Sequence, residues 1–226
     1  MVSMLKVNNL TKSYIVGNKR IPANKNIHFE VPNGSVVWIY GNSGSGKSTL
    51  LNMLVGLDSA DKGTVYWDDK DLLSLKNGER ADFRLKNCGL IFQFFELIKT
   101  QTVFSNVSIP LRLQKKSKKV INEEVQEILS LFGISDMALK KTDKLSGGEK
   151  QRVAIARALV SKPLYIIADE ITASLDLDMS HKVYSYIRNY IKENNGIGIF
   201  VSHDPIIKDY ADSIFKMSDG ILEKEA

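Results

Sequence analysis

A glycine-rich turn near the start of the chain constrains the fold more than any other feature. The segment GNSGSGKST, residues 41–49, fits the pattern G-x-x-x-x-G-K-[ST] at Gly41, Gly46, Lys47 and Ser48. The apolar segment SVVWIY precedes it and the periodic segment KSTLLNMLVGL follows it, which predicts a strand, a loop and a helix. Such a loop turns its N–H groups onto a phosphate, and the helix start adds partial positive charge. We therefore expect a phosphate site at the end of a strand.

Strand-like and helical segments alternate along most of the chain. Predicted strands are MLKVNNLTKSY, KNIHFEV, SVVWIY, GTVYWDDKDL with its turn, CGLIFQ, LYIIAD, GIGIFVSH and a closing pair around DSIFKMSDGILEKE. Besides KSTLLNMLVGL, the predicted helices outside the middle of the chain are NGERADFRLKN, GEKQRVAIARALVS and DMSHKVYSYIRNYIKENN. This alternation predicts a parallel sheet. In the middle, VFSNVSIPLRLQ, VINEEVQEILSLF and ISDMALKK all show helical spacing.

The resulting fold class is α/β: a P-loop NTPase core with a parallel sheet, an antiparallel β subdomain and an inserted helical subdomain. We expect one domain over residues 1–226. In this division, residues 1–93 and 144–226 form the catalytic core with the β subdomain, and residues 94–143 form the helical subdomain.

Composition bounds the class of protein. The 226 residues carry a net charge of +5, contain no run approaching a membrane span and include one cysteine, Cys88. We expect a cytoplasmic chain, reaching a membrane only through a partner, and the excess of lysine over arginine suggests a bacterial source. The basic run QKKSKK lacks the interleaved aromatics that stack bases, so we interpret it as a solvated loop and expect no nucleic acid partner.

Two adjacent carboxylates follow the apolar strand LYIIA. The first, Asp169, is placed where a strand-end aspartate reaches Mg²⁺, together with the Ser48 hydroxyl. The second, Glu170, is then able to polarise a water molecule. Lys47 can reach the β- and γ-phosphates of a bound nucleotide. The pattern therefore indicates a magnesium-dependent site for a nucleoside triphosphate.

A second glycine-rich turn opens a later helix. In LSGGEKQR, Ser146, Gly147 and Gly148 bring a hydroxyl, N–H groups and a favourable dipole to a helix start. Two phosphate cradles in one chain can bind two nucleotides or share one. Sharing requires a head-to-tail dimer in which this turn caps the γ-phosphate held by the other copy, and a two-fold arrangement then supplies both sites. The spacing alone does not choose between these alternatives.

Together these motifs resemble the ATP-binding subunits of ABC transporters over nearly the whole chain. The resemblance implies ATP and Mg²⁺ as cofactors, ATP hydrolysis, a homodimer with shared sites, and separate transmembrane permease subunits as partners. It implies that Tyr14 stacks on adenine, that Gln93 senses the γ-phosphate and Mg²⁺, and that His203 contacts the γ-phosphate. The resemblance also implies that Glu170 is the general base.

The residues expected at the site fall into four sets. Catalytic residues are Lys47, Gln93, Glu170 and His203. Nucleotide-binding residues are Tyr14, Gly41, Asn42, Ser43, Gly44, Ser45, Gly46, Lys47, Ser48, Thr49, Ser146, Gly147, Gly148 and Glu149. Metal ligands are Ser48, Gln93 and Asp169. The D-loop residues Ser174 and Asp176 are expected at the dimer interface.

Within the family, the segments GLDSADKGTVYW, LIFQFFELI and NVSIPLRL resemble the lipoprotein-release, macrolide-export and bacitracin-efflux group. The chain departs from that group's pattern at Lys99, Ser105, Lys150, Ile171, Ala173 and Ser174. The resemblance implies export or extraction of a lipoprotein, macrolide or antimicrobial peptide. We expect Gln93, Phe94 and Phe95 to form the edge of the surface that docks on the membrane subunits. Alternatives are a soluble ATPase of the iron–sulfur assembly type and a cell-division subunit.

Overall fold

The computed structural model describes residues 4–225. The strands of this part of the chain are β1 Met4–Val16, β2 Lys19–Pro32, β3 Ser35–Tyr40, β4 Lys62–Trp67, β5 Lys70–Asp71, β6 Cys88–Ile91, β7 Tyr165–Asp169, β8 Ile197–Val201, β9 Ser213–Ser218 and β10 Ile221–Lys224. The α-helices are α1 Lys47–Leu54, α2 Asn77–Asn87, α3 Val103–Val107, α4 Ile109–Leu113, α5 Lys118–Leu131, α6 Gly147–Leu159 and α7 Leu177–Glu193.

The strands form two sheets, as the sequence predicted. The larger sheet has the order β10-β9-β3-β8-β7-β6, and every neighbouring pair is parallel except β9 with β10. The smaller sheet has the order β2-β1-β4-β5 and is antiparallel throughout. Parallel sheets carry helices on both faces, which explains the unbroken apolar runs of β3, β7 and β8.

Alternating side chains of β3 face two hydrophobic clusters. Val36 and Trp38 belong to the cluster that includes residues of α5, α6 and α7. Val37 and Ile39 belong to the cluster that includes α1 and the smaller sheet. The period of two along a strand separates these faces. Residues of α3, α4 and α5 share the first cluster with the large sheet, and the division at residues 94 and 143 stays a prediction.

The middle of the chain is less helical than its spacing predicted. VFSNVSIPLRLQ forms two short helices, α3 and α4, because Pro110 has no N–H to continue the backbone hydrogen bonds of α3. ISDMALKK contains only a three-ten turn at Ser135–Met137. Its later carbonyls instead accept hydrogen bonds from the start of α3: Lys140 O from Val103 N and Ala138 O from Phe104 N, both at 2.9 Å. These tertiary bonds override the local helical preference.

Candidate active site

The carboxyl ends of four parallel strands converge on one cavity. The loop after β3 is the P-loop, residues 41–49, and the segments after β6, β7 and β8 carry Gln93, Glu170 and His203. Both Gln93 and His203 lie two residues beyond the end of their strands rather than at the end. The cavity has a volume of about 490 Å³. Its lining residues are Ala23, Ser43, Gly44, Gly46, Lys47, Ser48, Thr49, Gln93, Asp169, Glu170, Ala173 and His203.

The P-loop depends on glycine where its backbone turns into α1. Gly46 caps the helix with a φ of 105°, a left-handed conformation. A Cβ atom there would lie 2.1 Å from the carbonyl oxygen of Ala23. Both the angle and the close approach exclude a side chain at this position. The loop is therefore held tightly against β2 at the start of the helix.

Lys47 is a buried cation that points back along the loop. Its Nζ donates to the carbonyl oxygens of Gly41, at 2.7 Å, and Asn42, at 2.9 Å. Burial lowers the pKa of Lys47, and the charges of Asp169 and Glu170 oppose that shift. The ammonium group therefore lies inside the loop, where a phosphate chain would need a counter-charge.

The two carboxylates after β7 have different surroundings. Asp169 Oδ2 accepts a hydrogen bond of 2.7 Å from the Ser48 hydroxyl, which joins β7 to the P-loop. Glu170 has a φ of 54°, and its Oε1 lies 3.8 Å from Nε2 of His203. Burial raises the pKa of Glu170, while His203 acts in the opposite direction. The structure thus brings together all four residues that the sequence indicated for catalysis.

Tyr14 lies at the rim of the P-loop, fixed by residues that sequence reasoning missed. Its hydroxyl donates to Asp58 Oδ2 at 2.7 Å and lies 3.5 Å from Thr49 Oγ1. Lys12 Nζ sits 5.2 Å from the centre of the ring, over one face, and also contacts Asp58. Asp58 and Lys12 gave no local signal because their importance depends on a contact between distant segments.

The second glycine-rich turn is not part of this cavity. Ser146 caps α6: its hydroxyl accepts from the N–H of Glu149, and Glu149 Oε2 accepts from the N–H of Ser146 at 2.7 Å. This capping box leaves the N–H groups of Gly147 and Gly148 without a backbone acceptor in the described chain. None of residues 146–149, all of which are described, lines the cavity of the P-loop.

The D-loop packs against this turn within the same chain. The carbonyl oxygen of Ser174 lies so near Gly148 that a Cβ on Gly148 would be 2.9 Å from it. The carboxylate of Asp176 accepts from Met179 N at 2.8 Å and caps α7. Its expected place at a dimer interface stays a prediction.

A further contact joins the D-loop segment to the loop of His203. Thr172 Oγ1 donates to Asp204 Oδ2 at 2.9 Å, next to the buried hydroxyl of Tyr184. This link is not predicted from the sequence, because the two residues are far apart along the chain.

Comparison with known proteins identifies this arrangement. The family described as ABC transporter matches residues 24–173, which include the P-loop, both carboxylates and the second glycine-rich turn. The chain belongs to the ABC transporter family. It is 40% identical to the ABC transporter ATP-binding protein YvrO of Bacillus subtilis over 97% of this chain and 95% of that one.

Two further relatives match this chain over nearly its full length. The lipoprotein-releasing system ATP-binding protein LolD of Syntrophotalea carbinolica is 36% identical over 96% of both chains. Among solved structures, the dimeric post-hydrolysis state of the ATP-binding cassette MJ0796, bound to ADP and Pi, superimposes with a TM-score of 0.94. It is 34% identical and covers 98% of this chain and 97% of that chain.

Family membership identifies the activity. The chain is an ATP-binding subunit of an ABC transporter, an ATPase that drives transport together with transmembrane permease subunits. No helix within residues 4–225 combines the length and apolar character that crossing a membrane requires.

Proposed function

We propose that two copies of this chain bind ATP between them, each site combining the P-loop of one copy with residues 146–149 of the other. The observation that carries this proposal is that two anion-binding elements lie apart within one chain. The start of α6 presents the N–H groups of Gly147 and Gly148 and the exposed Ser146 hydroxyl away from the P-loop cavity. A head-to-tail dimer brings one element of each kind to the same triphosphate.

Within each site, we propose a division of labour among the residues of the cavity. The P-loop N–H groups and Lys47 hold the β- and γ-phosphates, and Tyr14 stacks on the adenine ring with the face that Lys12 leaves uncovered. Glu170 accepts a proton from the attacking water as its oxygen bonds to the γ-phosphorus and the bond to the β-phosphate oxygen breaks. His203, beside Glu170, contacts the γ-phosphate.

The oxygen atoms of Ser48, Asp169 and Gln93 fit Mg²⁺ as ligands. The Ser48 hydroxyl and Asp169 Oδ2 are 2.7 Å apart, and Gln93 lines the same cavity. Such oxygen ligands suit a cation that is held by few protein groups and by substrate phosphates. When bound, Mg²⁺ supplies positive charge that offsets the charge of the phosphates.

For the cellular role, we propose that the subunit docks on the cytoplasmic face of a membrane and drives export of a lipoprotein, macrolide or antimicrobial peptide. The supporting observation is the similarity to LolD at nearly full length. In vesicles containing the permease complex, one of these amphiphiles should stimulate ATP hydrolysis. Stimulation only by a small solute added on the opposite, uptake side would contradict export.

The shared site can be tested on the purified subunit. Glu170→Gln should bind ATP and, because hydrolysis is blocked, accumulate as a dimer that light scattering detects. Adding Ser146→Arg should abolish the dimer without abolishing ATP binding, since the bulky cation occupies the start of α6. ATP-bound monomers in both variants would contradict the shared site.

A further inference from the structure

The loop that carries Gln93 contains two consecutive residues in the left-handed backbone region. Phe95 has a φ of 62° and Glu96 a φ of 47°. For residues other than glycine, this backbone conformation is strained. Contacts from elsewhere must therefore hold the turn.

One side chain from α6 contacts both strained residues. Arg157 Nη2 donates to the carbonyl oxygen of Phe95 at 2.7 Å, and Nη1 donates to the carbonyl oxygen of Glu96. The planar guanidinium presents its donors in a fixed fork, which suits two neighbouring carbonyls. Arg157 is half-buried and lies 61 and 62 residues from its two partners along the chain.

We propose that Arg157 is a positioning residue for ATP hydrolysis, which acts by holding the turn at Phe95 and Glu96 so that Gln93 faces the nucleotide cavity. Gln93 precedes the clamped turn by two residues and lines that cavity. The inference rests on the proposed role of Gln93 at the γ-phosphate and Mg²⁺. Arg157 itself does not line that cavity.

Arg157 also belongs to the helix whose start contributes to the other of the two proposed ATP sites. Arg157 and Ser146 are eleven residues apart on α6, which is about three turns or about 16 Å. They therefore lie on one face of the helix. Between them, residues Val153 to Ala156 are fully buried. The contacts of Arg157 thus join the Gln93 loop of one proposed site to the helix that begins at the other.

The first test compares two arginines of α6. Arg157→Ala should lower kcat for ATP hydrolysis by on the order of 10- to 100-fold while the KM for ATP changes less than about twofold, because a misplaced Gln93 affects the chemistry more than binding. Arg152→Ala is the matched control, since Arg152 also donates to a backbone carbonyl, that of Phe132, at 3.3 Å. The control should keep the parent kcat and KM.

A second test reads the turn directly, without nucleotide or metal. Chymotrypsin cleaves after phenylalanine, and Phe94 is 78% exposed. Arg157→Ala should increase the rate of cleavage after Phe94 or Phe95 severalfold, and Arg152→Ala should not. Equal cleavage rates in the two variants would mean that Arg157 does not hold this turn, which overturns the inference.

Glycine substitution separates positioning from a general loss of packing. In the Arg157→Ala background, Glu96→Gly should restore part of kcat, because glycine adopts a positive φ without strain. Glu96→Ala removes the same carboxylate but keeps the strain, so it should restore nothing. Equal behaviour of the two, with a lowered melting temperature, would assign Arg157 a purely structural role.

The outcomes also distinguish this inference from the function on which it rests. If Gln93→Ala leaves hydrolysis unchanged, the proposed role of Gln93 fails and the inference fails with it. If Gln93→Ala is inactive while Arg157→Ala matches Arg152→Ala in kcat, only the positioning role of Arg157 is overturned.

Discussion

Glu170 holds its carboxylate in surroundings that favour the protonated form. Burial raises its pKa, and its backbone has a positive φ that an ordinary residue adopts at some cost. A proton acceptor benefits from a raised pKa, because it holds the transferred proton more strongly. The same burial makes the ionised group unfavourable for the folded chain, so activity and stability make opposite demands on this residue.

We predict that Glu170→Gln is less active and more stable. Loss of the proposed proton acceptor should lower kcat on the order of 100-fold or more. Because the pKa of Glu170 is raised in the folded state, the parent loses stability as the pH rises from the ordinary glutamate pKa, about 4.3, through the pKa of the folded state. Glutamine does not ionise, so the variant does not lose this stability. The melting temperature should therefore exceed that of the parent at pH 8.

The pH dependence provides the control for this prediction. Calorimetric scans at a series of pH values should show the advantage of Glu170→Gln shrinking as the pH falls through the ordinary glutamate value, because the parent carboxyl then becomes protonated in both states. An advantage that grows as the pH falls would show that the folded-state pKa of Glu170 is lowered rather than raised.

At the scale of elements, the sequence pattern predicted those helices, strands and loops whose structure depends on neighbouring residues along the chain. The P-loop between β3 and α1 and the buried strands β7 and β8 follow from glycine spacing and apolar runs. The non-helical segment after Met137 does not, because it depends on hydrogen bonds to its carbonyls from Val103 and Phe104, which are distant along the chain. Likewise, Lys47 and Glu170 were visible within motifs. Asp58 and Arg157, which contact Tyr14 and the Gln93 loop across long separations, were not.

Because the D-loop packs against α6, the neighbouring glycines Gly147 and Gly148 differ in the space available for a side chain. A methyl group on Gly148 would lie 2.9 Å from Ser174 O, whereas one on Gly147 would meet the Ser174 side chain only at 3.6 Å. Gly148→Ala should destabilise the monomer by about 1–3 kcal/mol, as overpacking does. Gly147→Ala should leave the melting temperature unchanged or higher, since alanine favours a helix.

ATPase activity should show whether Gly147→Ala has an effect that a change in stability does not explain. If the Gly147 N–H approaches the nucleotide of a second copy, the added methyl should lower ATPase activity on the order of tenfold even though the chain is stable. Urea unfolding and steady-state hydrolysis would measure both quantities. A stable Gly147→Ala with parent activity would contradict the close approach of a nucleotide at this turn.

On the scale of the whole molecule, the large sheet places the nucleotide cavity beside a surface suited to a partner. Strand β6 is at one edge of that sheet, and the loop that follows it exposes Phe94 to 78%. Phe95, the neighbouring aromatic, is half-buried and belongs to the clamped turn. Of the two aromatics expected at a docking surface, Phe94 is therefore the one whose side chain a permease could cover directly.

We predict that Phe94→Ala weakens association with the permease and leaves hydrolysis by the isolated subunit within about twofold of the parent. Covering an exposed aromatic ring contributes roughly 1.5–3 kcal/mol, so its loss should lower affinity by on the order of tenfold or more. Ile221→Ala is the matched control: Ile221 is 47% exposed on β10, at the opposite edge of the same sheet. Co-purification of tagged permease should fall for Phe94→Ala alone, whereas equal retention by both variants would place the docking surface away from the Gln93 loop.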